Sequence, residues 1–81
     1  MTLQEIFEKV KMEHARSMLK YGKWTEIPKD EQRKAIRREV REWITANRNH
    51  DIHGPHGEIV EAIQVMNVMA RRIMYLTGED A

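Results

Sequence analysis

One segment constrains the fold of this chain more than any other. Residues 59–76 are apolar almost all around a helical projection, and the main interruptions are Gln64, Asn67, Arg71 and Arg72. A helix of this kind is buried on most of its sides. A chain of 81 residues cannot cover it completely, because so small a domain buries only ~60–65% of the surface that its unfolded chain exposes. We therefore expect a homo-oligomer, a dimer or a tetramer, with this helix near the symmetry axis.

The remaining residues also have helical periodicity, and no stretch alternates like a strand. The predicted helices cover about 3–21, 28–47 and 55–77. Thr2 and Glu5 form a capping-box pattern, Gly22 is placed to end the first helix, and Gly78 ends the third. The predicted fold is all-α: a single domain of three helices in an antiparallel bundle, completed by homo-oligomerisation.

Composition excludes several classes of protein. The chain has no cysteine, which rules out a disulfide scaffold, a cysteine zinc site, an iron–sulfur cluster and a thiol nucleophile. Fourteen Lys and Arg against thirteen Asp and Glu give a net charge of +1, so no overall field favours nucleic acid or a membrane surface. No apolar run approaches the ~20 residues of a membrane span, and the N-terminus lacks the basic region of a secretory leader. We expect a soluble cytoplasmic protein without membrane partners.

The predicted second helix has three different faces. Its apolar stripe consists of Ile36, Val40, Trp43 and Ile44. A second stripe is small and acidic, with Ala35, Glu39, Glu42 and Ala46. The cations of the flank and back are Arg33, Lys34, Arg37, Arg38, Arg41 and Arg48. A nucleic-acid accessory role is one interpretation of this cationic face, but a solvated face partly paired with glutamates is favoured, because no aromatic residue interleaves with the arginines.

Two Glu-x-x-Glu pairs are the main candidates for chemistry. Glu39 and Glu42 lie on the second helix, and Glu58 and Glu61 lie on the third. Carboxylates at this spacing are one helical turn apart, so both can reach one hard cation. Counted from the intervening loop, Glu42 lies ~9 Å along one helix and Glu61 ~8 Å along the other, so an antiparallel hairpin places them at one level. The alternative is four solvated carboxylates, with Glu58 and Glu61 complementing the helix dipole.

Three segments together resemble a known family. They are Lys20-Tyr21-Gly22-Lys23-Trp24, Arg38-Glu39-Val40-Arg41-Glu42 and Glu58-Ile59-Val60-Glu61, and residues 61–70 are similar to the last helix of short phage-type members. The pattern resembles the small MazG-like all-α nucleotide pyrophosphohydrolases, which carry Glu-Glu-x-x-Glu on one helix and Glu-x-x-Asp on the next. The chain departs from these motifs at Arg38, where the family has Glu, and at Glu61, where it has Asp.

The resemblance implies a function and a set of roles. It implies Mg²⁺- or Mn²⁺-dependent hydrolysis of nucleoside triphosphates to monophosphates and pyrophosphate by an oligomer. Glu39, Glu42, Glu58 and Glu61 would be metal ligands, or one of them would be the general base. The candidates for nucleotide contact are Trp24, Lys20, Lys23, Arg71 and Arg72; Trp24 would stack on a base or, alternatively, fold back onto the bundle. Because an arginine replaces a ligand at position 38, a non-catalytic nucleotide-binding or protein-interaction module is the alternative function.

The loop before the third helix holds a second candidate metal site. His50, His53 and His56 are spaced three residues apart, with Asp51 between the first two. Imidazoles in such a loop bind Zn²⁺ or Ni²⁺, although isolated loop histidines are more often simply polar. Two other interpretations are an anion site at the start of the third helix and packing of His56 close to Glu58 and Glu61.

Overall fold

The computed structural model describes residues 1–79 of the chain. Its three α-helices are α1 (Leu3–Tyr21), α2 (Lys29–Arg48) and α3 (Glu58–Leu76), and a single 3-10 turn spans Trp24–Glu26. No strand occurs within the described range, so the predicted all-α class is confirmed. None of these helices is both long enough and apolar enough to cross a bilayer.

The ends of α1 follow the predicted capping chemistry. The Thr2 hydroxyl accepts a hydrogen bond from the Glu5 backbone N–H at 3.2 Å, and the Glu5 carboxylate accepts one from the Thr2 N–H at 3.2 Å. At the other end, Gly22 has φ 75° and donates its N–H to the Met18 carbonyl. A positive φ favours glycine because it has no Cβ, which explains why α1 ends at this residue.

The predicted start of the third helix at Pro55 is wrong, because α3 begins at Glu58. Residues 50–57 instead form a compact loop that uses its own backbone groups. The Asp51 carboxylate accepts from the Gly54 N–H at 2.9 Å, while the Asp51 carbonyl accepts from the Glu58 N–H at 2.7 Å. A Cβ at Gly57 would lie 2.7 Å from the Gly54 nitrogen. Residues 55–57, which the periodicity assigned to the third helix, therefore belong to this close turn. The other predicted helix ends agree with the structure to within one residue.

The three helices pack around α3. Contacts of Gln32 with Arg72 and of Asn47 with Glu58 show that α2 and α3 are antiparallel. On the other side, Ser17 contacts Asn67, and Gly22 contacts Arg71, so α1 runs in the same direction as α3. Within the described residues, the main packing partner of both α1 and α2 is α3. The predicted antiparallel packing therefore applies to the α2–α3 hairpin, with α1 added along the far side of α3.

The interior of the chain is small and unusually polar. Its buried apolar residues, among those described, are Trp24, Ala46 and Val68, and its buried polar residues are Gln32, Glu61, Asn67 and Arg71. Three of these four polar side chains belong to α3. By contrast, the exposed large apolar residues of α3 include Met66, Met69, Ile73 and Leu76, which recur at helical spacing. The side of α3 that faces its own chain is therefore polar, and the opposite side is apolar.

Two buried side chains fix the α1–α2 connection onto this structure. The Gln32 amide nitrogen donates to the Trp24 and Ile27 carbonyls, each at 3.0 Å, and its oxygen accepts from Arg72 at 2.7 Å. Arg71 donates to the Gly22 carbonyl, and its guanidinium lies 5.4 Å from the centroid of the Trp24 ring. Satisfying these backbone carbonyls allows a loop to be buried against a helix.

We expect Gln32→Leu to lower the free energy of unfolding by about 2–3 kcal/mol, because it removes three hydrogen bonds at a buried junction. Urea denaturation followed by circular dichroism measures this. The matched control is Gln4→Leu, because the exposed Gln4 amide bonds to Glu8 at the surface of α1; its effect should stay within about 0.5 kcal/mol. Equal effects of the two substitutions would show that the Gln32 junction does not stabilise the fold.

Candidate functional site

Three carboxylates meet where α2 and α3 lie side by side. Glu39 and Glu42 of α2 and Glu61 of α3 each bring one oxygen within 4.8 Å of the other two. We call these three residues the carboxylate cluster. They converge because the hairpin places positions 42 and 61 at one level and Glu39 lies one turn along α2 from Glu42. The register predicted from the sequence therefore agrees with the structure for these residues.

The cluster is enclosed mainly around Glu61. This residue is 4% exposed, and its Oε2 atom accepts no hydrogen bond from any residue that the structure describes. Glu39 is also largely covered, whereas Glu42 is exposed. A buried carboxylate oxygen without a donor destabilises a protein. The cluster thus has an unsatisfied requirement for a proton or a cation.

Burial and mutual repulsion shift the acidity of two of these groups. Burial, followed by the charge of Glu42, raises the pKa of Glu39 from 4.5 to about 7. Burial and Glu42 also raise the pKa of Glu61, although the nearby His56 partly offsets this. Both effects disfavour the ionised form. In the absence of a cation, Glu39 is therefore only partly ionised near neutral pH.

The side chains of Arg38 and His56 flank the cluster. Arg38 Nε lies 3.9 Å from Glu39 Oε1, and His56 Nδ1 lies 3.5 Å from Glu61 Oε1. Both are well exposed, at 63% for the Arg38 side chain and 89% for that of His56, so water screens their attraction. The position of His56 beside Glu61 agrees with the packing interpretation of the sequence. These two partners leave the carboxylate cluster undercompensated.

The fourth predicted carboxylate does not join the group. Glu58 is not among the side chains that meet within 4.8 Å; it accepts a hydrogen bond from the Asn47 amide at 3.3 Å. It lies in the first turn of α3, where a negative charge complements the helix dipole. For Glu58, the structure therefore agrees with the alternative interpretation, that of a carboxylate at a helix N-terminus.

A cavity of about 480 Å³ lies beside the cluster, and we call it the central cavity. Residues from all three helices and from the α1–α2 connection line it, including Lys20, Tyr21, Arg38, Glu39 and Asn67. A second cavity of about 530 Å³, on the loop side, includes Glu42, Glu61 and His56, and Arg38 lines this one as well. Both volumes fall in the range of small-molecule sites. The cluster therefore separates two cavities, with Glu39 facing the central one.

The predicted nucleotide-contact residues have different positions. Lys20 and Arg71 line the central cavity, but Lys23 is exposed and does not. Trp24 lines it too, yet it is only 3% exposed and has the Arg71 guanidinium against its ring. Because the Arg71 guanidinium lies where a base would stack, the structure agrees with the interpretation that Trp24 folds back onto the bundle. Tyr21, which is 58% exposed, offers more aromatic surface.

The loop histidines do not form a second cluster. His50, His53 and His56 are all exposed, and among residues 1–79 the only group of three or more potential ligands is the carboxylate cluster. His50 has a positive φ of 54°, and His56 is directed to Glu61. The structure therefore does not bring the three imidazoles together as the zinc or nickel hypothesis requires.

The cationic face of α2 remains in water. Arg33, Arg37 and Arg41 are exposed, and Lys34 pairs with Glu31 at 3.1 Å. This arrangement is typical of a solvated helix face. It agrees with the favoured interpretation of these residues rather than with a dedicated nucleic-acid surface.

Sequence reasoning missed the importance of several polar residues. Gln32 organises the α1–α2 connection, and Gln64 and Asn67 line the central cavity. The signal for the last two is their spacing with Arg71, since positions 64, 67 and 71 recur along one face of an otherwise apolar helix. Such a pattern indicates a polar face that the fold buries.

Comparison with known proteins does not assign this chain to a family. No family model matches the chain, and neither a curated protein nor a solved structure matches it significantly. The MazG-like resemblance therefore stays a prediction, and functional inference depends on the side chains of the cluster and its cavities.

We expect Glu39→Gln to stabilise the metal-free protein at pH 8 by about 1–3 kcal/mol. The pKa of Glu39 rises from 4.5 to about 7 on folding. The contribution of protonated Glu39 to the free energy of unfolding is therefore fully present below pH 4.5 and is lost as the pH rises through 7. The glutamine has no such loss, so the difference should shrink towards pH 4.5. Denaturation in the presence of a chelator across this range measures it.

The control for this experiment is Glu8→Gln, because Glu8 is an exposed carboxylate that pairs with Gln4 and Lys11 on α1. It should show no gain at high pH. Identical unfolding free energies for wild type and Glu39→Gln at pH 8 would mean that Glu39 is not destabilised by its surroundings.

Proposed function

We propose that this chain is a Mg²⁺- or Mn²⁺-dependent nucleoside triphosphate pyrophosphohydrolase-like protein, which hydrolyses (d)NTP to (d)NMP and pyrophosphate. The observation that carries the proposal is the carboxylate cluster, in which a buried Glu61 oxygen has no partner among the described residues. It lies beside a cavity whose lining includes the cations Arg16, Lys20, Arg38 and Arg71 as well as the acids Glu13, Glu31 and Glu39. A cluster that needs positive charge, next to a cavity that contains Lys20 and Arg38, favours a ligand that brings a metal ion together with phosphate.

The donor set of the cluster suits a hard divalent cation. Its ligands are Glu39, Glu42 and Glu61, which offer oxygen only, and Mg²⁺ and Mn²⁺ prefer such donors. A cation would also satisfy Glu61 Oε2 and relieve the repulsion that raises the pKa of Glu39. When bound, it would polarise phosphate oxygens and lower the pKa of a coordinated water.

The side chains of the cavity have matching roles in this proposal. Lys20 and Arg38 line the central cavity and would offset the charge of the phosphate chain. Glu39 faces the same space; in the alternative to its role as a ligand, it would be the general base and accept a proton from the attacking water. A bond forms between the water oxygen and the α-phosphorus, the bond from that phosphorus to the bridging oxygen breaks, and pyrophosphate leaves.

Binding without turnover is the second candidate function. Two observations favour it: Arg38 stands beside Glu39 at the motif position where the resembled family has a carboxylate, and Glu58 is occupied by Asn47. Three carboxylate ligands, instead of the four predicted from the sequence, would bind a cation more weakly and orient the attacking water less precisely. In this case the chain would bind a nucleotide, or present it to a partner, without cleaving it.

We further propose that the functional unit is a homodimer in which the apolar side of α3 is covered. The chain exposes 6001 Å², whereas a compact monomer of 9.7 kDa exposes about 5,100 Å². The excess of roughly 900 Å² is close to the ~800 Å² that each partner buries in a stable interface. Met66, Met69 and Ile73 on α3 and Phe7 on α1 are exposed apolar residues that such an interface would cover.

Pyrophosphate release tests the proposed activity. With Mg²⁺ or Mn²⁺ present, we expect wild-type protein to release pyrophosphate from at least one of the eight common NTPs and dNTPs. Glu61→Gln should reduce the rate by about 100-fold or more, because loss of a ligand costs at least as much as loss of a group that supports one. Glu58→Gln is the matched control and should retain most activity, since Glu58 lies outside the carboxylate cluster.

The outcomes separate the two candidate functions. No release from any substrate, together with thermal stabilisation by nucleotide and metal, would support binding without turnover. Equal losses in Glu58→Gln and Glu61→Gln would contradict the assignment of the ligands.

The mass of the particle in solution tests the dimer. We expect light scattering at micromolar concentration to give about twice 9.7 kDa, and Met69→Glu to shift the protein towards the monomer by placing a charge in the interface. Leu19→Glu is the control, because Leu19 is 91% exposed on the outer side of α1. A wild-type monomer at this concentration would overturn the proposal.

A further inference from the structure

We propose that the central cavity binds the base of a nucleotide and that the buried amide of Asn67 recognises the hydrogen-bonding edge of that base. This inference rests on the proposed function and names the part of the site that would select the substrate. It concerns the end of the cavity away from the carboxylate cluster.

The amide of Asn67 has an unmet hydrogen-bonding requirement. The residue is 2% exposed and lines the central cavity. Its Nδ2 donates to the Ser17 hydroxyl at 2.9 Å, while its Oδ1 has no partner within the described part of the chain. Exchanging the two ends of the amide does not help, because the Ser17 hydroxyl then pairs with the oxygen and leaves the nitrogen alone. One end of this amide is unpaired in either orientation.

An unpaired buried amide is costly, by about 1–3 kcal/mol, and an apolar residue at this position would avoid that cost. The neighbouring residues of α3 show that apolar side chains are plentiful in this helix. A ligand that hydrogen-bonds to this amide removes the energetic cost, whereas a ligand without a matching group leaves the amide unpaired and binds more weakly. The unpaired amide therefore selects between ligands. Asparagine pairs in this way with base edges, for example with adenine.

The surroundings of Asn67 fit a flat polar ligand. Gln64 lines the same cavity one turn away and adds a second amide, and Tyr21 contributes an exposed aromatic ring at the edge. An aromatic ring and a polar amide together are suited to a heterocycle, which offers both a stacking face and a hydrogen-bonding edge.

The distance from Asn67 to the carboxylate cluster determines how a nucleotide would be oriented in the central cavity. Asn67 lies six residues beyond Glu61 on α3, which is about 9 Å along the helix axis. Arg38 and Glu39 line the cavity on the cluster side. A base at Asn67 and a phosphate chain at Arg38 would therefore be two ends of one molecule, with a sugar between them.

Nucleosides test the base site without involving phosphate, metal or catalysis. Calorimetric or fluorescence titration of the wild-type protein with adenosine, cytidine, guanosine and uridine should give measurable binding for at least one of them. An analogue of that nucleoside methylated on its hydrogen-bonding nitrogen should bind at least ten-fold more weakly. Because this comparison uses the wild-type protein, it does not depend on a variant that folds.

Substitutions locate the contact. Asn67→Leu should weaken binding of the preferred nucleoside at least ten-fold, and its folding is checked by circular dichroism. Asn47→Ala is the matched control, since that amide bonds to Glu58 and lines neither cavity; it should bind as wild type does. Absence of nucleoside binding in the wild type, or undiminished binding in Asn67→Leu, would overturn the proposal.

Hydrolysis assays separate this proposal from the proposed function. If the protein cleaves nucleoside triphosphates and inorganic tripolyphosphate equally well, and Asn67→Leu changes neither rate, the activity stands and the base site is wrong. If nucleosides bind through Asn67 and no substrate is cleaved, the base site stands and the proposed hydrolysis fails.

Discussion

The polarity of α3 governs the rest of this structure. Its side facing α1 and α2 carries Glu61, Asn67 and Arg71 in buried positions, and its outer side carries exposed apolar residues. Buried polar groups are stable only when they are paired. Arg71 and Gln32 are paired with backbone carbonyls of the connection between α1 and α2. Glu61 and Asn67 each retain an atom that has no partner among the described residues, and a ligand that paired with either atom would be stabilising.

The exposed apolar residues on the outer side of α3 are also the reason for the proposed assembly. A helix that turns its polar side inward leaves its apolar side for another surface to cover. The buried apolar residues of the described chain are few, so hydrophobic burial within one copy contributes little stability. A second copy against the outer side of α3 would supply this contribution and leave the polar interior free to bind a ligand. In this account, stability comes from association, and function comes from the inward face.

Local patterns in the sequence predicted part of the fold and part of the candidate site. Helix identity, the capping box at Thr2 and the shared level of Glu42 and Glu61 follow from periodicity and spacing. The start of α3 does not, because the 50–57 loop is held by side-chain and backbone contacts of Asp51 that spacing cannot reveal. The burial of Trp24 likewise depends on Arg71, which is distant in the sequence. Tertiary contacts, rather than local preference, decide both.

We propose that Glu39, Glu42 and Glu61 together hold a divalent cation. Paramagnetic broadening of backbone amide resonances by substoichiometric Mn²⁺ tests it most directly, because broadening depends on distance from the ion. We expect the broadening to be centred on residues 39, 42 and 61, and we expect excess Mg²⁺ to reverse it. Broadening centred on the histidines of residues 50–56, or spread evenly over the surface carboxylates, would contradict the claim.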